Sequence, residues 1–139
     1  MAASDRLSPL AEALRTLGGI AQQRALVVVV SDFRGERDWR RPLLQVAGRH
    51  EVVAVEVRDP REQALEPAGT LWLVDPESGH ELRVDTDDPR LRARFAEAAA
   101  EERSAVVHEL ASAGVAHVAL TTDRDWLRDL AVFVRRRRA

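Results

Sequence analysis

The stretch Ala25-Leu26-Val27-Val28-Val29-Val30 is apolar at every position and runs straight into Ser31, Asp32 and Phe33. A strand with one wet face alternates apolar and polar side chains. One that is apolar throughout has to be covered on both faces, as central strands of parallel sheets are. The run is therefore expected in the middle of a sheet, with neighbours on both sides. Asp32 falls where the strand ends, and in open α/β sheets ligands bind outside the carboxyl ends of strands. It is the first residue to question about function.

Strand and helix signals alternate around that run. Leu7, Leu10, Leu14 and Leu17 recur at helical spacing and Gly18-Gly19 follow as a stop, predicting a helix over about 8–17 with Ser8 as its cap and Pro9 in its first turn. A charged loop, Arg34 to Asp38, leads into a helix over about 39–48 that buries Leu43, Leu44 and Val46 or Ala47. Glu51 to Arg58 reads as a second strand, and the roughly 18 residues between the two strands suit a parallel crossover. Thr70–Asp75 and His80–Asp85 flank Pro76-Glu77-Ser78-Gly79, a strand, turn and strand that make a hairpin over about 70–85. A long helix follows from Asp88-Pro89 to near Gly114. Val115 to Leu120 is a third parallel-type strand, and Trp126, Leu127, Leu130 and Phe133 mark a last helix. Three alternations without a linker or repeat predict a doubly wound α/β sheet. Because the chain opens with a helix, a strand partner for the apolar run is expected upstream, so that residues 1–139 form the C-terminal portion of a larger domain.

Composition narrows the function classes. A chain of 139 residues fits one domain. Its net charge of −2 supplies no field that would recruit nucleic acid or anionic lipid. Every basic residue is Arg, as in proteins from GC-rich genomes. With no Cys there is neither disulfide nor thiolate chemistry, which is compatible with a reducing compartment. Asp5 and Arg6 interrupt the place where a signal peptide needs its apolar stretch, and the longest apolar run is far short of the ~20 residues that span a bilayer. A cytoplasmic chain without a membrane segment is expected.

Asp32, Asp59 and Thr121-Thr122-Asp123 all fall at carboxyl ends of predicted strands, where oxygen ligands could gather around a hard cation such as Mg²⁺. Acids at strand ends also cap the loops that follow through hydrogen bonds to backbone N–H groups. Capping is the favoured reading for Asp59, which precedes Pro60, and for Asp123, placed to cap the last helix; for Asp32 both readings stand. His50, His80, His108 and His117 lie on different elements without metal-ligand spacing and read as structural or surface residues. No glycine-rich phosphate loop follows a strand, and Ser31 lacks the flanking glycines of a nucleophile elbow. The Arg135–Arg138 run reads as a solvated helix end whose charge suits the negative pole of the helix.

Taken in order, Val27 to Phe33, Trp39, Pro42-Leu43, His50 to Val55, Asp59-Pro60-Arg61-Glu62 and Asp75 to Gly79 resemble the C-terminal region of the domain of unknown function 58 family. The resemblance runs from about Ser8 to Arg136. It implies a Rossmann-like, von Willebrand A-like fold, a mainly parallel sheet with flanking helices and one inserted hairpin. It also implies association with MoxR-type AAA ATPases, and full-length relatives anchored in a membrane through upstream segments. Von Willebrand A domains carry a metal-ion-dependent adhesion site built from a D-x-S-x-S motif, a Thr before a helix, and an Asp ending a later strand. On the resemblance Asp32 takes the third place and Ser8 the second. No D-x-S-x-S precedes Asp32, so an incomplete site holding Mg²⁺ weakly is expected, with Ser31, Asp59, Thr121 and Asp123 on its rim.

The function implied is a non-enzymatic protein-interaction module that works beside a MoxR-type ATPase. Two alternatives stand next to it. One is a small α/β hydrolase or phosphotransfer protein using Asp32, which lacks a Lys to balance a phosphate. The other is a metal-free structural remnant that forms homo-oligomers through an exposed sheet edge.

Overall fold

The computed structural model describes residues 7–75 and 78–138; Asp5 and Arg6, and Pro76 and Glu77 of the expected turn, lie outside the described residues. Its elements run α1 (Pro9–Ile20), β1 (Leu26–Ser31), α2 (Arg40–Ala47), β2 (Glu51–Arg58), a 3-10 turn (Pro60–Glu62), β3 (Thr70–Val74), β4 (Glu81–Asp85), α3 (Pro89–Ser112), β5 (Ala116–Thr121) and α4 (Trp126–Arg138). This is a mixed α/β protein of Rossmann-like character. The chain divides into two compact units, residues 1–58 with 105–139, and residues 59–104, so that α3 begins in the second and ends in the first.

The first unit is built on a three-stranded parallel sheet in the order β1-β2-β5. Among the described residues the apolar run thus lies at the edge of the sheet, with β2 on one side and no strand on the other, the side where the sequence places its upstream partner. β2 takes the centre because it too is apolar on both faces from Val52 to Val55, and a periodicity argument ranks two such strands equally. Side chains alternate across the sheet. On one face Val29, Val52 and Ala54 pack with Ala11 and Leu14 of α1, Leu43 and Val46 of α2, and Val106 and Leu110 of α3. On the other, Val53, Val55 and Leu120 pack with Val118 and with Leu130 and Phe133 of α4. No described element covers β1 on this second face, where Leu26, Val28 and Val30 are 61%, 54% and 64% exposed. They form one wall of an apolar groove of about 770 Å³ whose other wall carries Trp126, Leu130 and Phe133.

Local chemistry explains the helix starts. Ser8 Oγ accepts the Ala11 N–H at 3.2 Å and Pro9 fills the first position of α1, both as expected. For α4 the cap is Asp125, whose Oδ1 accepts the Arg128 N–H at 3.2 Å, and not Asp123. A cap side chain reaches the N–H three residues on, which from Asp123 lies ahead of the first helical turn. In α2, Leu43 and Val46 are buried but Leu44 is not, since it falls on the outward side of the same turn.

The second unit carries an antiparallel two-stranded sheet, β3 with β4, in the register Leu71↔Val84 and Leu73↔Leu82. Its base is fixed by Thr86, fully buried, whose hydroxyl donates to the Gly69 carbonyl at 2.7 Å and accepts the Ala68 N–H at 2.8 Å. Arg92 donates to the Thr86 carbonyl from the first turn of α3.

Candidate functional site at the carboxyl ends of the parallel strands

The chain after β1 turns sharply at the carboxyl end of the sheet. Ser31 Oγ accepts the Phe33 N–H and Asp32 Oδ1 accepts the Arg34 N–H, each at 3.0 Å. Phe33 sits in the left-handed region at φ 53°, a conformation costing a non-glycine residue of order 1 kcal/mol. The cost is offset because the turn drives Phe33 into the core, edge-on to Trp39 with ring centroids 5.3 Å apart. Asp32 itself is left exposed on the outside of this turn.

The other residues singled out in the sequence are dispersed among separate local tasks. Ser8 donates from both its backbone N–H and its hydroxyl to the Asp38 carboxylate at 2.6 Å, and those hydrogen bonds, the side-chain one foremost, hold the Asp38 carboxyl below its usual range. Asp59 belongs to the second unit, where Oδ1 accepts the Arg61 N–H and caps the 3-10 turn. The Thr121 carbonyl accepts the Arg124 N–H, the Thr122 N–H donates to the Arg58 carbonyl, and Asp123 is exposed. Among the described residues, no group of three or more His, Asp or Glu is placed to hold a metal ion.

The structure adds Glu56 and Arg58, which the sequence reading passed over, and joins to them His117, which reads in the sequence as structural or surface. Glu56, on the central strand, is almost fully buried and is gripped by Arg58, with Nε to Oε1 at 2.8 Å and Nη2 to Oε2 at 2.9 Å. His117 Nε2 lies 2.7 Å from Oε2. The register explains the cluster: Glu56 stands opposite Ala119, so His117 is its diagonal neighbour on the same face, and Ser31 stands opposite it on the other side. Burial disfavours the ionised carboxyl, but the hydrogen bonds from His117 and Arg58 and their positive charges outweigh it, and the Glu56 carboxyl is held below its ordinary value. A signal for it exists in the sequence. A Glu inside Val52-Val53-Ala54-Val55-Glu56-Val57, on a strand buried on both faces, has to find a partner. Arg58 two residues on, on the same face, is the first place to look.

A three-stranded parallel sheet flanked by helices, with a small antiparallel pair beside it in the chain, defines a broad α/β class. Within it, the chain belongs to the DUF58 family of proteins of unknown function, whose model matches residues 2–105. It is 44% identical over 129 residues to the uncharacterized protein Rv1480 of Mycobacterium tuberculosis, covering 93% of this chain and 40% of that protein. A Mycobacterium avium protein, MAV169, is 43% identical over 129 residues, covering 93% of this chain and 76% of that protein. A Paracoccus denitrificans protein named for its place in the moxR 3′ region is 34% identical over 100 residues, covering 71% of this chain and 94% of that protein. The chain thus spans about 40% of the length of relatives such as Rv1480. No solved structure matches it. No helix among the described residues is long and apolar enough to cross a membrane.

Proposed function

We propose that the chain is the C-terminal portion of a von Willebrand A-like domain, with the hairpin as an insertion, and that it serves as a non-enzymatic protein-interaction module for a MoxR-type AAA ATPase in the cytoplasm. The uncovered second face of β1 carries this reading. Three aliphatic side chains more than half exposed on an edge strand leave well over one side chain's worth of burial unrealised, at ~1.5–3 kcal/mol for each fully buried Leu or Val. An edge strand this apolar needs cover in a working molecule. Further strands and a helix from a longer polypeptide would supply it, in keeping with the greater length of Rv1480. The Paracoccus denitrificans relative, named for its place beside moxR, supports the choice of partner.

In this reading Asp32 and Ser8 are two corners of an incomplete adhesion site, with Ser31, Thr121 and Asp123 on its rim. Asp32 presents a carboxylate to solvent, whereas Ser8 would first have to leave Asp38. Mg²⁺ held by so few protein oxygens keeps most of its water and binds weakly. The test is to mix the protein with the purified MoxR-type ATPase of the same organism and look for co-elution with and without Mg²⁺. A stable complex supports the module; separate elution of both purified proteins under every nucleotide condition overturns it.

A second reading rests on the same strand. The free edge of β1 could pair with β1 of another copy and extend the sheet. Sedimentation decides it: a monomer at all concentrations rules out edge pairing.

A further inference from the structure

β3 poses in the second unit the problem that β1 poses in the first. A two-stranded sheet has no second layer, so its strands are expected to be apolar on one face only. Leu71 and Leu73 share a face with Leu82 and Val84, which is one apolar side. Trp72 and Val74, on the opposite face, are apolar as well, with Arg83 and Glu81 as their cross-strand neighbours. Trp72 is 66% exposed and Leu82 63%, so both faces of the hairpin present large apolar side chains to solvent. Trp beside Arg is also the composition in which binding energy concentrates at protein interfaces.

Charge tells what kind of surface fits there. Residues 70–88 carry Asp75, Glu77, Glu81, Asp85, Asp87 and Asp88 against the single Arg83, a net charge of −5 within a chain whose net charge is −2. A nucleic acid or an anionic membrane is repelled by such a segment. A protein cleft with an apolar floor and a rim of Arg and Lys is attracted to it, and would cover Trp72 and Leu82 while neutralising the flanking carboxylates.

We propose that the β3–β4 hairpin is the docking element of the module, inserting Trp72 and its apolar neighbours into a basic-rimmed cleft on the partner protein. The proposal rests on the interaction-module reading and names the part of the chain that makes the contact. The probe is the purified MoxR-type ATPase, titrated against the protein at its natural length by biolayer interferometry at low and at physiological salt. Trp72→Ala and Leu82→Ser should each weaken binding at least tenfold, and Glu81→Lys should weaken it and flatten its salt dependence. Thermal unfolding of each variant checks that it is folded; should the Trp72 variant fail that check, Glu81→Lys, an exposed charge change, carries the test alone.

The outcomes separate. Binding by the wild type that all hairpin variants retain overturns the docking element and leaves the interaction module standing. A wild type that does not bind the ATPase overturns both. Concentration-dependent self-association that Trp72→Ala abolishes makes a second copy the occupant and overturns the basic-rimmed foreign partner.

Discussion

β1 and β2 lie side by side in one parallel sheet and each contains an unbroken apolar run, yet their surroundings are opposite. β2 is buried from Val52 to Glu56, while β1 exposes every side chain on its second face. The more apolar strand is at the edge, and the strand that carries Glu51, Glu56 and Arg58 is at the centre. Position in the sheet, not apolarity, decides how much each side chain contributes to stability. It also decides where a charge can be held, since Glu56 is ionised in the interior only because Arg58 and His117 meet it from the same face.

Matched substitutions on one face of the two strands break this comparison most severely. Val55 and Val30 are cross-strand partners that both face α4's side of the sheet. Val55→Asp buries an unpaired carboxylate and should cost more than about 4 kcal/mol, enough to unfold a domain of ordinary stability. In residues 1–139 alone Val30→Asp changes an already exposed site and should stay within about 0.5 kcal/mol, whereas in a longer polypeptide that covers this face it should cost as much as Val55→Asp. Urea unfolding of the two variants measures both. Equal losses would mean that the outer face of β1 is covered in solution.

Removing the charge at the centre comes next. Glu56→Ala leaves Arg58 and His117 facing each other without their carboxylate and should destabilise by about 3 kcal/mol. The pH dependence follows from the lowered pKa. A carboxyl that ionises more readily in the folded chain adds stability that is complete above its unfolded value, near 4.5, and is lost as the pH falls through its lower folded value. Glu56→Gln should therefore flatten the acid side of the stability profile, read as unfolding midpoints between neutral pH and pH 3. A profile parallel to the wild type would remove the ion pair from the account of β2.

Ser8→Ala takes away the cap of α1 and the hydroxyl that bonds Asp38, and should cost about 1 kcal/mol by thermal unfolding. The cost falls on the covered face of β1, where α1 places Ala11 and Leu14. A loss above that of Glu56→Ala would reverse the order of the two strands' supports.

The elements were legible in the sequence because each rests on a local pattern. The leucine spacing and Ser8–Pro9 define α1, unbroken apolar runs define β1 and β2, and two short strand runs on either side of Ser78-Gly79 define the hairpin. Sheet order was not legible. Two strands apolar on both faces look alike to a periodicity argument, and which of them has a neighbour on each side depends on residues far away in the chain. The site was legible in part. Asp59 caps its turn as expected, an interaction that reaches two residues along the chain. The Glu56 network was missed because His117 is 61 residues away and only the β2–β5 register brings it within reach.

The smallest effect belongs to the two acids themselves. Asp32 follows β1 and Glu56 lies near the end of β2, but Asp32 accepts the Arg34 N–H in the turn and is exposed. An amide accepts that hydrogen bond through its carbonyl oxygen as a carboxylate does, so Asp32→Asn should leave stability within about 0.5 kcal/mol. The same substitution at the proposed metal corner removes a charged oxygen ligand, which a divalent cation prefers. Calorimetric titration with Mg²⁺ should then give weak heat for the wild type and none for Asp32→Asn, at unchanged unfolding midpoint. Identical heats from the two proteins would take Asp32 out of the metal reading and leave it as the turn-former that its hydrogen bond describes.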